Sequence, residues 1–146
     1  MGDSHMLKIL LPVDGSDASN QGVKSFIQLL NCYKEMPEIH LLNVQLPLHG
    51  DISLFIDGEN ITQYHRDEGM ESLRTARQLM DQAGISYQFH IIVGDPADII
   101  VSLAKEKLLD QIVIGPRGMN AIKNLLLGSV ANKVVQLSSI PVLLVK

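Results

Sequence analysis

The sequence predicts a single-domain, doubly wound (Rossmann-like) α/β fold on a five-stranded, mainly parallel sheet. Three observations carry this reading. Short apolar runs alternate with longer segments of helical periodicity along the 146 residues. The runs are nearly unbroken Val, Ile and Leu, as in parallel strands buried on both faces. Their β-α-β-α-β-α-β-α-β order demands crossover connections, which wind helices onto both faces of one sheet.

The strand runs are 7–13, 39–44, 87–93, 111–114 and 141–145. Between the first two, Val23, Phe26, Ile27 and Leu30 recur at helical spacing, with Ser16 and Ser19 as candidate caps. A second helix is expected over 59–83, with Leu73, Ala76 and Met80 on one stripe and Gly84 as its stop. Asp95-Pro96 is a cap followed by proline in the first turn, and Ile99, Ile100, Leu103 and Ala104 form that helix's apolar face. The last helix, 130–137, opens at Gly128-Ser129. The long irregular segment 45–58 is either a lid over a site or a mobile excursion.

Composition bounds the function. The chain has 46% hydrophobic residues and a net charge of −4 with no basic run, which argues against nucleic acid or an anionic membrane as a partner. No apolar stretch approaches the roughly 20 residues of a membrane span. No secretory h-region is visible, and a cytoplasmic location is expected. Cys32 is the only cysteine, so no internal disulfide or thiolate cluster is available. Residues 1–5 read as an expression-tag remnant and 6–146 as the domain. The five histidines form no metal-binding pair: His40 and His90 lie in strands, His49 and His65 in or near the irregular region, and His5 in the remnant.

The chemistry concentrates at two strand ends. Directly after the fourth strand stands G-x2-G-x9-G-S: Gly115-Pro116-Arg117-Gly118, nine residues, then Gly128-Ser129 and Val130. Glycines let backbone amides approach a phosphate, and a helix opening at Gly128-Ser129 offers free N–H groups to an anion. Leu125, Leu126 and Leu127 within the motif read as a core or partner anchor, and Arg117 and Lys123 as exposed cations near the loop. The first strand runs into Pro12-Val13-Asp14-Gly15-Ser16. Ligands of open parallel sheets bind beyond the strand carboxyl ends, where strand order reverses. If the first and fourth strands are neighbours there, Asp14 faces ribose hydroxyls or a phosphate-bound Mg²⁺, and the glycines face phosphates. Neither a Walker P-loop nor a G-x-G-x-x-G follows any strand.

These residues match a known family. Lys8-Ile9-Leu10-Leu11-Pro12-Val13-Asp14-Gly15-Ser16, Leu41-Leu42-Asn43-Val44, Val93-Gly94-Asp95-Pro96 and the glycine motif with Ile140-Pro141-Val142 resemble the ATP-binding subgroup of the universal stress protein (UspA-like) family. The resemblance implies strand order 3-2-1-4-5 with four helices. It implies that Val44 reads adenine through its backbone, that Pro12 and Val13 line the base, and that Asp14 and Gly115 meet the ribose. Amides around Ile114, Gly118, Gly128, Ser129 and Val130 would take the phosphates of ATP, or of AMP or ADP. Pro116 departs from the family pattern of a small or polar residue and has no N–H to donate. It removes a contact or rigidifies the loop, and Arg117 offers a charge-assisted contact beside it. The resemblance also implies a homodimer through the edge run Val142 to Val145. No general base is evident, so catalytic residues are none and a nucleotide-dependent regulatory protein, with at most slow hydrolysis, is expected. The alternatives are a dimeric interaction module independent of nucleotide and a slow ATPase or phosphotransferase.

Overall fold

The computed structural model describes residues 5–49, 57–118 and 126–146. Five parallel strands, β1 (Lys8–Pro12), β2 (Glu38–Gln45), β3 (Gln88–Val93), β4 (Gln111–Ile114) and β5 (Val142–Leu144), form one sheet in the order β3-β2-β1-β4-β5. Between them run α1 (Asp17–Leu29), α2 (Gly58–Gln82), α3 (Pro96–Glu106) and α4 (Ser129–Leu137). The expected class, topology and helix count are those observed.

Side chains that alternate along the strands feed two cores, one on each face of the sheet. Ile9, Leu11, Ile39 and Leu41 pack with Val23 and Phe26 of α1 and with Leu73, Ala76 and Met80 of α2. Leu10, Leu42, Ile112 and Ile114 pack on the other face with Ile100, Leu103 and Ala104 of α3 and Val134 of α4. Each fully buried side chain of this size contributes about 1.5–3 kcal/mol of transfer free energy.

Local chemistry sets the boundaries. Ser16 caps α1, its hydroxyl accepting from the Ser19 N–H at 3.1 Å. Ser19 is no cap: its hydroxyl accepts from the Asp14 N–H at 3.2 Å and so fastens the end of β1 to α1. A 3₁₀ turn over Leu30–Cys32, absent from the sequence reading, follows α1 and leaves Cys32 exposed. Asp57 caps α2, which ends just before Gly84 at φ +69°, a left-handed backbone suited to glycine. Asp95 caps α3 ahead of Pro96 and is also paired with Lys133 of α4 at 3.1 Å. That Lys133 hydrogen bond is the main cause holding the Asp95 carboxyl below its ordinary value.

His65, near the irregular segment in sequence, falls within α2 as the expected helix 59–83 has it, and it is buried. Leu126 is 81% exposed, so of the two roles expected for the leucine run, core or partner anchor, it does not take the first. Part of the irregular segment 45–58, and within the glycine motif Lys123 and Leu125, lie outside the described residues.

Candidate functional site

Strand order reverses between β1 and β4, because β2 and β3 lie to one side of β1 and β4 and β5 to the other. The chain therefore leaves β1 and β4 toward opposite faces, and a crevice opens beyond their carboxyl ends. Asp14 follows β1, and the glycine motif follows β4.

The two meet directly. A methyl group built on Gly118 would lie 2.5 Å from the Asp14 Oδ2. Residues 104 positions apart are thus brought within reach of one small ligand. The other carboxylate oxygen of Asp14, Oδ1, accepts from the Ser16 N–H at 2.9 Å, which holds the side chain in place at the head of α1. Gly15 between them has φ +83° and lies against the Ser72 backbone, so the corner after β1 depends on a residue without a Cβ.

The two ends of the motif close on each other. The Gly128 N–H donates to the Pro116 carbonyl at 2.6 Å, and a Cβ on Gly128 would lie 3.3 Å from that oxygen. Pro116 is buried, and its carbonyl ties the start of the motif to Gly128 at the far end of the loop. Gly128 occupies the cap position of α4 in extended conformation with no side-chain cap bond, and Ser129 is the first helical residue. The first-turn amides of Ser129 and Val130 belong to the set that a helix cannot satisfy internally. Gly115 sits under the crevice with the Ala18 and Val145 carbonyls 3.9 and 3.8 Å from where its Cβ would be. Arg117 is exposed at the rim.

On the other side of β1, Pro12 pairs with Leu42, and the Val13 N–H donates to the Leu42 carbonyl at 2.8 Å. Val44 stands just beyond, near the carboxyl end of β2. Asn43, within the motif Leu41-Leu42-Asn43-Val44, is 2% exposed. Its Nδ2 donates to the Val13 carbonyl at 2.9 Å. The signal that marks it is a lone polar residue inside the apolar run Leu41-Leu42-Asn43-Val44.

Pro12, Val13, Asp14 and Val44 thus lie along one side of the strand-end region, and Ile114, Gly115, Arg117, Gly118, Gly128, Ser129 and Val130 along the other. The arrangement offers uncapped helix-start amides, a carboxylate and a backbone strand end. It suits a ligand with an anionic group, hydroxyls and a planar hydrogen-bonding edge. The close approach of Gly118 to Asp14 leaves no room for a side chain between the motif and the carboxylate. Among the described residues no cluster of three or more His, Cys, Asp or Glu side chains is placed to hold a metal ion. None of their helices is long and apolar enough to cross a membrane. A separate groove of about 540 Å³, lined by Pro47, Ile61, His65, Met70, Phe89 and Ile91, lies between α2 and the edge strand β3 rather than in the crevice.

Comparison with known proteins agrees with this architecture. The model of the universal stress protein family matches residues 6–146. The universal stress protein MJ0531 of Methanocaldococcus jannaschii is 32% identical over 150 residues, covering 99% of this chain and 85% of its own. The solved structure of MJ0577 from the same organism superposes with a TM-score of 0.79 at 27% identity, covering 95% of this chain and 94% of its own. A universal stress protein solved in complex with cAMP superposes at TM-score 0.67 and 26% identity, covering 98% of each chain. The chain belongs to the universal stress protein family.

Proposed function

We propose that this chain is an ATP-binding regulatory protein of the cytoplasm, in which the occupied and empty crevice present different surfaces to a partner. The observation that carries the reading is the approach of Gly118 to the Asp14 carboxylate beside the uncapped start of α4. Backbone amides of Gly118, Ser129 and Val130 would take the phosphates, as helix N-termini do. Asp14 would accept from the ribose hydroxyls, Val44 would read the base, and Mg²⁺ would ride on the phosphates without a protein cluster of its own. The structural relative solved with cAMP supports an adenine nucleotide as the ligand. The working unit is a homodimer formed through the edge from Val142 to Val145, where Leu144 is 39% exposed on the outermost strand.

Calorimetry of nucleotide-free protein with ATP and Mg²⁺ tests the first part. Saturable binding at one site per chain is expected, and a folded protein without measurable affinity would overturn it. AMP binding more tightly than ATP would shift the reading from ATP to energy-charge sensing. For the dimer, a monomer mass by light scattering at micromolar concentration is the refuting result.

A further inference from the structure

We propose that Asn43 is a wedge that holds the β1–β2 ladder open at Val44, and so determines base specificity in the crevice. The proposal rests on the adenine-nucleotide reading above and assigns a positioning role to a residue that touches no ligand itself.

Along β2 the backbone N–H and C=O of each residue point to one side, and successive residues alternate sides. The Leu42 carbonyl bonds to Val13, toward β1, and the Gln45 carbonyl accepts from Gly94 at 2.9 Å, past the end of β3. The N–H and C=O of Val44 therefore face β1. In a continued ladder the Val44 N–H would donate to the Val13 carbonyl, one step beyond the Val13–Leu42 bond. The pairing stops at Pro12–Leu42 instead, and no such bond is formed. The Val13 carbonyl is occupied by the Asn43 Nδ2 at 2.9 Å.

Gln45 completes the device. It lies two residues on, on the same strand face, and its Nε2 donates to the Asn43 Oδ1 at 2.6 Å. That contact fixes the amide with its NH₂ toward Val13, because only the oxygen can accept from Gln45. The Val13 carbonyl is satisfied without Val44, and the strand end keeps one donor and one acceptor side by side. This pair complements a base edge carrying an acceptor nitrogen next to an amino group, as in adenine. It mismatches hypoxanthine, whose edge presents a protonated ring nitrogen next to a carbonyl.

The test combines amide exchange on the nucleotide-free protein with affinities for ATP and ITP. In the wild type, the Val44 amide exchanges at least tenfold faster than the Leu42 amide, and ATP binds in preference to ITP. In Asn43→Leu, of similar volume but without a donor, the Val44 amide becomes protected and the ATP/ITP preference falls about tenfold, the worth of one hydrogen bond of about 1.4 kcal/mol. Gln45→Ala, at a half-buried position, moves both quantities the same way by a smaller factor. A wild-type Val44 amide as protected as that of Leu42 overturns the proposal without recourse to any variant. So does an Asn43→Leu protein that keeps both its exchange rate and its base preference. An open Val44 amide in a protein that binds no nucleotide leaves the wedge standing and removes the binding reading. ATP binding with a protected Val44 amide does the reverse.

Discussion

Replacing Gly118 by alanine gives the sharpest test of the crevice. The new Cβ would stand 2.5 Å from the Asp14 Oδ2 and 3.7 Å from its Cγ, whereas ordinary contact begins at 3.4 Å. The carboxylate must therefore retreat by about 0.9 Å, the difference between 3.4 and 2.5. It has little freedom to do so smoothly, because Oδ1 holds the Ser16 N–H at the cap of α1. Rotation that clears the methyl group misaligns the oxygen offered to the ribose. Losing one hydrogen bond to a charged group costs about 1.5–3 kcal/mol, roughly a ten- to hundredfold loss of ATP affinity. The backbone at Gly118 is not in the left-handed region, so the fold is expected to lose less than about 1 kcal/mol. Calorimetry with ATP and Mg²⁺ reads the affinity, and thermal unfolding of the nucleotide-free protein reads the stability. Gly58→Ala is the control, since nothing lies within 4 Å of its added Cβ, and its affinity should match the wild type. A double mutant with Asp14→Ala completes the cycle: if Gly118→Ala acts through Asp14, the two losses are strongly non-additive. A Gly118→Ala protein that binds ATP within twofold of the wild type refutes the reasoning, because the nucleotide then sits elsewhere.

Three further predictions concern the scaffold. Gly69→Ala sets a methyl group 2.5 Å from the Ile91 Cγ2 where α2 crosses β3, and denaturant unfolding should show a loss of about 1–3 kcal/mol from overpacking. Phe26→Ala empties a fully buried site in the α1–α2 core and should cost about 3–5 kcal/mol; a smaller loss would mean that the two helices close over the gap. His90 lies 2.9 Å from His40, which in turn contacts Glu38 at 2.7 Å, and burial followed by the nearby His40 and Lys107 charges lowers the His90 pKa below 6.5. The unfolded chain then takes this proton first, so stability is retained above about pH 6.5 and lost as pH falls through that value toward the lowered native pKa. His90→Gln should flatten the dependence of the unfolding midpoint on pH over that window, and an unchanged slope would assign it to other groups.

What the sequence makes legible follows from how far each interaction reaches along the chain. Asp95-Pro96 and Gly84 announce helix boundaries because a cap and a left-handed stop are decided within four residues, and both lie where expected. Ser16 and Ser19 look equivalent in sequence, and only the end of β1 distinguishes them: Ser19 is drawn off to the Asp14 N–H and leaves Ser16 to cap α1. Leu126 reads as either core or partner anchor, because a run of three leucines carries no period to say which of them faces inward, and it is exposed.

The crevice itself became legible through topology. Asp14 and Gly118 share no local pattern, yet alternating strands and helices require a reversal of strand order somewhere, and the chemistry stands at the two strand ends that flank it. Asn43 marks the limit of that logic. A polar residue in an apolar strand signals that something buried must be satisfied, but which carbonyl depends on where β1 stops relative to β2. That register is set by the Val13–Leu42 bond and the corner at Gly15, neither of which hydrophobic periodicity encodes. A site built from strand ends thus draws its specificity from where a ladder is interrupted. The interrupting side chain is visible in sequence as a polar residue in an apolar strand, but its partner is not until the register is known.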